Sequence, residues 1–160
     1  MKKKLHILKV RRYVQQDDFS CGYHTALSLI RYFNPQASSF DIYRWAGTTI
    51  EGTDEHGIIN ALKKSGLKAR QVFNATYNTY AHSIINGCPV VAYSNKLDHW
   101  FLLTGICGRQ LLACDSDRGL IWMSDLTDLG GYGIFVKPPT KTKVIEGEFK
   151  KSIEAATYNK

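Results

Sequence analysis

Gln15-Gln16-Asp17-Asp18-Phe19-Ser20-Cys21-Gly22, followed by Tyr23, Ala26, Leu27, Ile30 and Phe33 at three- and four-residue intervals, sets a cysteine at the first turn of an amphipathic helix. Ser20 is a good N-cap, and Asn34-Pro35 ends the run, because the residue before a proline is pushed out of helical geometry. A thiol at a helix start lies near unpaired backbone N–H groups and the positive end of the helix dipole, which favour thiolate over thiol. Cys21 is therefore a candidate nucleophile. Its own N–H points where an attacked carbonyl oxygen gathers charge, and the side-chain amide of Gln15 is a candidate second donor. Gln16 competes for that role, since a slip of one residue in the loop exchanges the two.

Outward from this helix, Ser38 or Ser39 caps a second one running through Trp45 and Ala46 to Gly47. Thr53 opens a third, with Ile58, Ile59 and Leu62 inward and Gly66 at its end, and Tyr77 to Ile85 forms a fourth before Asn86-Gly87. After Pro89 the pattern changes to short β-rich runs: Val90 to Tyr93, His99 to Ile106, Leu111 to Asp115, Leu120 to Met123 and Ile134 to Lys137. Turn residues such as Gly108-Arg109 and Asp117-Arg118-Gly119 separate them, so successive antiparallel hairpins are expected. Helices first and strands second predict an α+β fold, an N-terminal helical layer packed on a C-terminal antiparallel sheet, with a cleft between them.

That layout gives Cys21 two partners. His99 starts a strand after the loop Asn95-Lys96-Leu97-Asp98, where its ring can reach the helix carrying Cys21, pair with the thiolate and protonate a leaving amine. Asp115 ends the next strand, and the antiparallel return brings it beside the start of the His99 strand, where a carboxylate can orient the imidazole. Taken singly, each has a plainer explanation: a structural cysteine, a surface histidine, a turn aspartate. His24, one turn after Cys21, is a rival base poorly placed to reach around a scissile bond. Asp54, Glu55 and His56 read as capping and dipole compensation rather than as metal ligands. Trp45, Trp100 and Trp122 are expected in the core or cleft wall, with Trp100 shielding the His99 pair.

At 160 residues, with 44% hydrophobic and 22% charged residues, the chain suits one soluble domain, here 1–140, with a polar tail at 141–160. No apolar run approaches the roughly 20 residues of a membrane span, and Leu5 to Val10 make a poor signal peptide, so a cytoplasmic protein is expected. Cys21, Cys88, Cys107 and Cys114 lack the paired spacing of a zinc site or redox dithiol. The net charge of +7 arises from 21 Lys and Arg against 14 Asp and Glu. It reads first as a solvated basic surface; an anionic peptide partner also fits, and nucleic-acid binding through the basic termini is the lesser alternative.

In combination these residues resemble the bacteriocin-processing leader peptidases of the papain-like cysteine peptidase superfamily. Gln15 to Gly22 is similar to the nucleophile motif of that family, and Gly52-Thr53 with Ile58, Ala61 and Ser65-Gly66-Leu67 to its second motif. Pro89-Val90-Val91 and His99-Trp100-Phe101-Leu102-Leu103-Thr104-Gly105 resemble the histidine region. Leu112-Ala113-Cys114-Asp115, Gly119 and Gly130-Gly131-Tyr132 resemble the aspartate region. The match runs from about Val10 to Lys137. Ser20 stands where the family commonly has an acid, and Ser116 where it commonly has proline; neither change removes a catalytic atom.

The resemblance implies a papain-like fold, Cys21 as nucleophile, His99 as base, Asp115 as orienting acid, Gln15 as oxyanion donor, and no metal or organic cofactor. It implies a peptide or protein substrate and leaves room for a separate transporter or partner protein. Hydrolysis of a peptide or isopeptide bond is the first expectation. Deamidation or acyl transfer with the same residues, and a non-catalytic peptide-binding module, are the alternatives.

Overall fold

The computed structural model describes residues 4–137, so the tail at 141–160 lies outside the described residues. The elements run β1 (Leu5–Ile7), α1 (Cys21–Phe33), α2 (Ser39–Ala46), α3 (Glu55–Lys64), β2 (Lys68–Val72), α4 (Tyr77–Ile85), β3 (Val90–Ser94), β4 (His99–Cys107), β5 (Gln110–Asp115), β6 (Gly119–Met123), a single 3-10 turn (Thr127–Leu129) and β7 (Gly133–Lys137). The four helices and the five expected strands form, and the class is α+β. Two strands were not anticipated. β1 precedes every helix and β2 lies between α3 and α4, so the segregation of helices from strands is incomplete.

All seven strands belong to one antiparallel sheet, in the order β2-β7-β3-β4-β5-β6, with β1 added to the far end of β4. The hairpins β3-β4-β5-β6 form the expected meander, while β7 returns to pair with both β3 and β2. Successive residues of a strand face opposite sides. Val91, Trp100, Leu102, Cys114, Ile134 and Val136 therefore pack with α1, α2 and α3. Val90, Phe101, Leu103, Ala113 and Phe135 pack with Tyr80 and Ile84 of α4 on the other side. The expected helical layer, α1 to α3, packs on one face, and α4 covers the second. Thr104 is an extra residue in β4, where the register jumps between Leu103 and Gly105. This bulge inverts the alternation and returns Ile106 to the α4 side with Phe101 and Leu103.

The start of α1 is closed differently from expectation. Ser20 occupies the N-cap position without a side-chain capping bond. Asp17 Oδ1 instead accepts the backbone N–H groups of Phe19 at 3.0 Å and Ser20 at 2.7 Å, forming a turn that delivers the chain into the helix. The helix is also buried more widely than an amphipathic stripe requires, with Thr25, Ser28 and Leu29 enclosed alongside Ala26, Leu27 and Ile30. Packing against the sheet on one side and α2 and α3 on others explains this. At α2 and α3, Ser38 and Asp54 supply the caps, accepting from Asp41 N at 3.2 Å and Gly57 N at 2.7 Å. Asp54 takes the place expected for Thr53.

One close approach fixes where α1 begins. A Cβ at Gly22 would lie 2.7 Å from Thr53 Cβ and 3.1 Å from Trp100 Cδ1. Trp100 is itself tied to the same segment, donating its indole N–H to Thr53 O at 2.9 Å. The residue after Cys21 must therefore lack a side chain for the helix start to abut β4. Gly22→Ala is expected to lower the unfolding free energy by about 1–3 kcal/mol through overpacking, measured as a lower urea midpoint at unchanged slope.

Candidate active site

β5 ends at Asp115, one residue beyond the Leu102–Cys114 pair, and β4 begins at His99, so the antiparallel return leaves both at the same end of the sheet. There His99 Nε2 donates to Asp115 Oδ1 at 2.8 Å. Cys21 is the other side chain near enough to the imidazole to raise it. Three residues far apart in sequence, the first of α1, the first of β4 and the last of β5, thereby come together, with a hydrogen bond joining the last two.

Asp115 is fully buried, and its carboxylate is saturated. Oδ1 accepts from His99 and from the backbone N–H groups of Asp117 at 2.9 Å and Arg118 at 3.1 Å. Oδ2 accepts from Arg118 Nε at 2.9 Å, with Arg118 Nη2 also at 2.9 Å. Arg12 Nη1 donates to the backbone carbonyl of Asp115 at 3.1 Å. Burial by itself raises the carboxyl, but the hydrogen bonds from His99 and from the Arg118 and Asp117 amides outweigh it and hold Asp115 well below the usual carboxylate range. The Asp115 hydrogen bond and then the nearby Cys21 raise His99 to about 9, against the opposing effect of burial. The ring is accordingly an imidazolium at neutral pH.

Gln15 is held from three directions. Its backbone N–H donates to Ser116 O at 3.1 Å, its Oε1 accepts from Ser116 Oγ at 2.6 Å, and its Nε2 donates to Asp17 O at 2.7 Å. A primary amide has two N–H donors, so one remains after the bond to Asp17. Gln16 is exposed and makes no side-chain hydrogen bond among the described residues. His24 Nδ1 lies 2.9 Å from Ser20 O and 3.1 Å from Ser20 Oγ, an engagement within its own helix turn. His56 has a largely exposed ring, 3.8 Å from Glu55, and Asp54 caps α3. Burial raises the thiols of Cys88 and Cys114, the latter to about 11. Among the tryptophans, Trp100 is buried, Trp45 is half-buried and Trp122 is 40% exposed, so the expected core or wall position of Trp122 is not realised on its half-open edge strand.

Cys21 lines a cleft of about 590 Å³, with Trp100, Tyr93 and Tyr132 on one side and the segment from Ile50 to Glu55 on another. Tyr93 and Trp100 have ring centroids 4.7 Å apart, and Tyr93 donates its hydroxyl to Asp98 at the base of the β3–β4 loop. Asp128 holds that loop by accepting from Ser94 Oγ and from Lys96 N. Arg118, Arg12, Asp17 and Asp128 were all missed in the sequence. The signal for Arg118 was present in the i, i+3 spacing of Asp115-Ser116-Asp117-Arg118, which had been read only as a turn.

The Peptidase C39 family model matches residues 9–128. No curated protein matches the chain in sequence. Among solved structures, a double glycine motif protease from an AMS/PCAT transporter, in complex with the leader peptide, superposes with a TM-score of 0.69 at 17% identity, covering 83% of this chain and 94% of the other. The peptidase domain of Streptococcus ComA, a bi-functional ABC transporter involved in a quorum sensing pathway, gives 0.61 at 22% identity, covering 79% and 96%. A C39-like peptidase from Bacillus anthracis gives 0.68 at 13% identity, covering 86% and 100%. These likenesses show the shared fold, and the family match spans both the helix that begins at Cys21 and the strands that carry His99 and Asp115: the chain belongs to the Peptidase C39 family of papain-like cysteine peptidases.

Proposed function

We propose that the chain hydrolyses a peptide bond at the end of a double-glycine leader, with Cys21 as nucleophile, His99 as general acid and base, and Asp115 orienting His99. One observation carries this reading: a buried carboxylate 2.8 Å from one ring nitrogen of a histidine that lies beside a cysteine lining a cleft. The thiolate attacks the carbonyl carbon and forms a tetrahedral oxyanion. His99 then protonates the departing amine as the acyl-thioester forms, and next takes a proton from the water that releases the acid. The unpaired first-turn N–H of Cys21 and the remaining N–H of Gln15 Nε2 are the two donors proposed for the oxyanion. The leader substrate is suggested by a solved neighbour, the double glycine motif protease in complex with the leader peptide.

Incubation with a peptide that joins a double-glycine leader to a short cargo is expected to give two fragments by intact mass, and Cys21→Ala to give none. An uncut peptide in which a side-chain amide has become an acid would assign deamidation instead. Gln15→Ala is expected to lower kcat on the order of a hundredfold with little change in KM, and Gln16→Ala to have a small effect; the reverse pattern moves the oxyanion role to Gln16.

The pH dependence follows from His99. The imidazolium is present below its value and is lost as pH rises through about 9, so kcat/KM is expected to fall on its alkaline side near that pH. Asp115→Asn removes the largest interaction that raises His99. The alkaline limb should move to lower pH as the maximal rate drops, and a limb that stays in place would contradict the pairing.

A further inference from the structure

The cleft over Cys21 carries a charge opposite to that of the chain. Asp18, Glu51, Asp54, Glu55 and Asp98 all line it, and no lysine, arginine or histidine among the described residues does. Five of the 14 acidic residues of a chain with a formal net charge of +7 thus gather around one cavity of about 590 Å³. Capping explains Asp54, and Asp98 accepts from Tyr93. Asp18 and Glu51 are exposed and accept no hydrogen bond among the described residues, so no packing or capping role accounts for them. Like charges so placed repel one another, an arrangement that a cation relieves.

A second feature of the cleft favours the same ligand chemistry. Trp100, 7% exposed, forms its wall together with Tyr93 and Tyr132, the ring centroids lying 4.7 and 6.2 Å from that of Trp100. Aromatic faces attract ammonium and guanidinium groups, more so where a neighbouring carboxylate completes the site.

We propose that this cleft selects peptides carrying lysine or arginine next to the bond that is cleaved, with the cationic side chain held between Asp18 and Glu51 and the Tyr93–Trp100 wall. The proposal rests on Cys21 being the nucleophile, and the test separates the two. Modification of Cys21 by neutral, cationic and anionic methanethiosulfonates, followed by mapping of the Cys21 peptide, reports the local field without needing a substrate. The cationic-to-anionic rate ratio, normalised to that for glutathione, is expected to be on the order of tenfold at low salt, to shrink at high salt, and to shrink in the double variant Asp18→Asn, Glu51→Gln. Tetralysine should protect Cys21 from iodoacetamide at concentrations where tetraglutamate does not. A normalised ratio near one with rapid neutral reaction, or better protection by tetraglutamate, overturns the specificity and leaves the nucleophile intact. Neutral reaction at Cys21 no faster than at Cys88 overturns both.

Discussion

A carboxylate sealed from water and still ionised must be satisfied by everything around it, and Asp115 imposes that demand on the whole C-terminal half of the site. Leaving such a charge unpaired costs several kcal/mol, so its neighbours are constrained together. The turn after β5 folds back to offer two backbone amides, Arg118 reaches across with Nε and Nη2, and His99 is drawn to the remaining side of Oδ1. With Oδ2 occupied by arginine and Oδ1 shared with backbone, the imidazole meets the carboxylate through Nε2 at one defined place. The same turn reaches the loop before α1: Ser116 accepts from Gln15 N and donates to Gln15 Oε1. A buried carboxylate and an amide a hundred residues apart are thereby locked to one three-residue turn.

The other half of the site depends on contact rather than charge. Cys21 reaches the ring only because α1 starts against β4, and the start is fixed by three local arrangements. Asp17 closes the incoming turn, Gly22 lets the helix touch Thr53 and Trp100, and the Trp100 indole binds the Thr53 carbonyl. Residues on the helix, on the loop before α3 and on the sheet thus meet at one point. Shifting any of them moves the sulfur by a distance that matters for an attack geometry requiring approach within about 3.5 Å.

What the sequence revealed and what it concealed follow from the range of the forces involved. Helix periods, the caps at Ser38 and the stop at Asn34-Pro35 are local, and each element they mark is present. The hairpins from β3 to β6 were legible because their turns are short and their strands apolar. β1 and β2 were not: Leu5-His6-Ile7 sits among basic residues, and Lys68-Ala69-Arg70-Gln71-Val72 has charge on alternate positions, as expected of an edge strand half open to water. Both exist because a partner strand lends them hydrogen bonds, which no local pattern reports. Ser20 looked like a cap by residue type, but the better-placed Asp17 took the turn. Asp115 is the instructive case: the turn-former and the histidine partner were weighed as alternatives, yet one carboxylate does both, since its Oδ1 has room for the Asp117 and Arg118 amides as well as for His99.

Charge shows the same gap between sum and arrangement. The excess of basic residues points a reader toward anionic partners, and over distances beyond a Debye length of about 8 Å that sum has some meaning for how molecules first approach. Inside a cleft the nearest groups weigh most, and the ionisable side chains that line this one beside Cys21 and the tyrosines are carboxylates among the described residues. A peptide reaching the sulfur therefore leaves a field set by the whole surface and enters one set by a few carboxylates on the loops that flank α1 and α3. Selection by that inner field requires only that a cation arrive next to the scissile carbonyl. It leaves the thiol, the imidazole and the buried aspartate free to keep the geometry that the fold gives them.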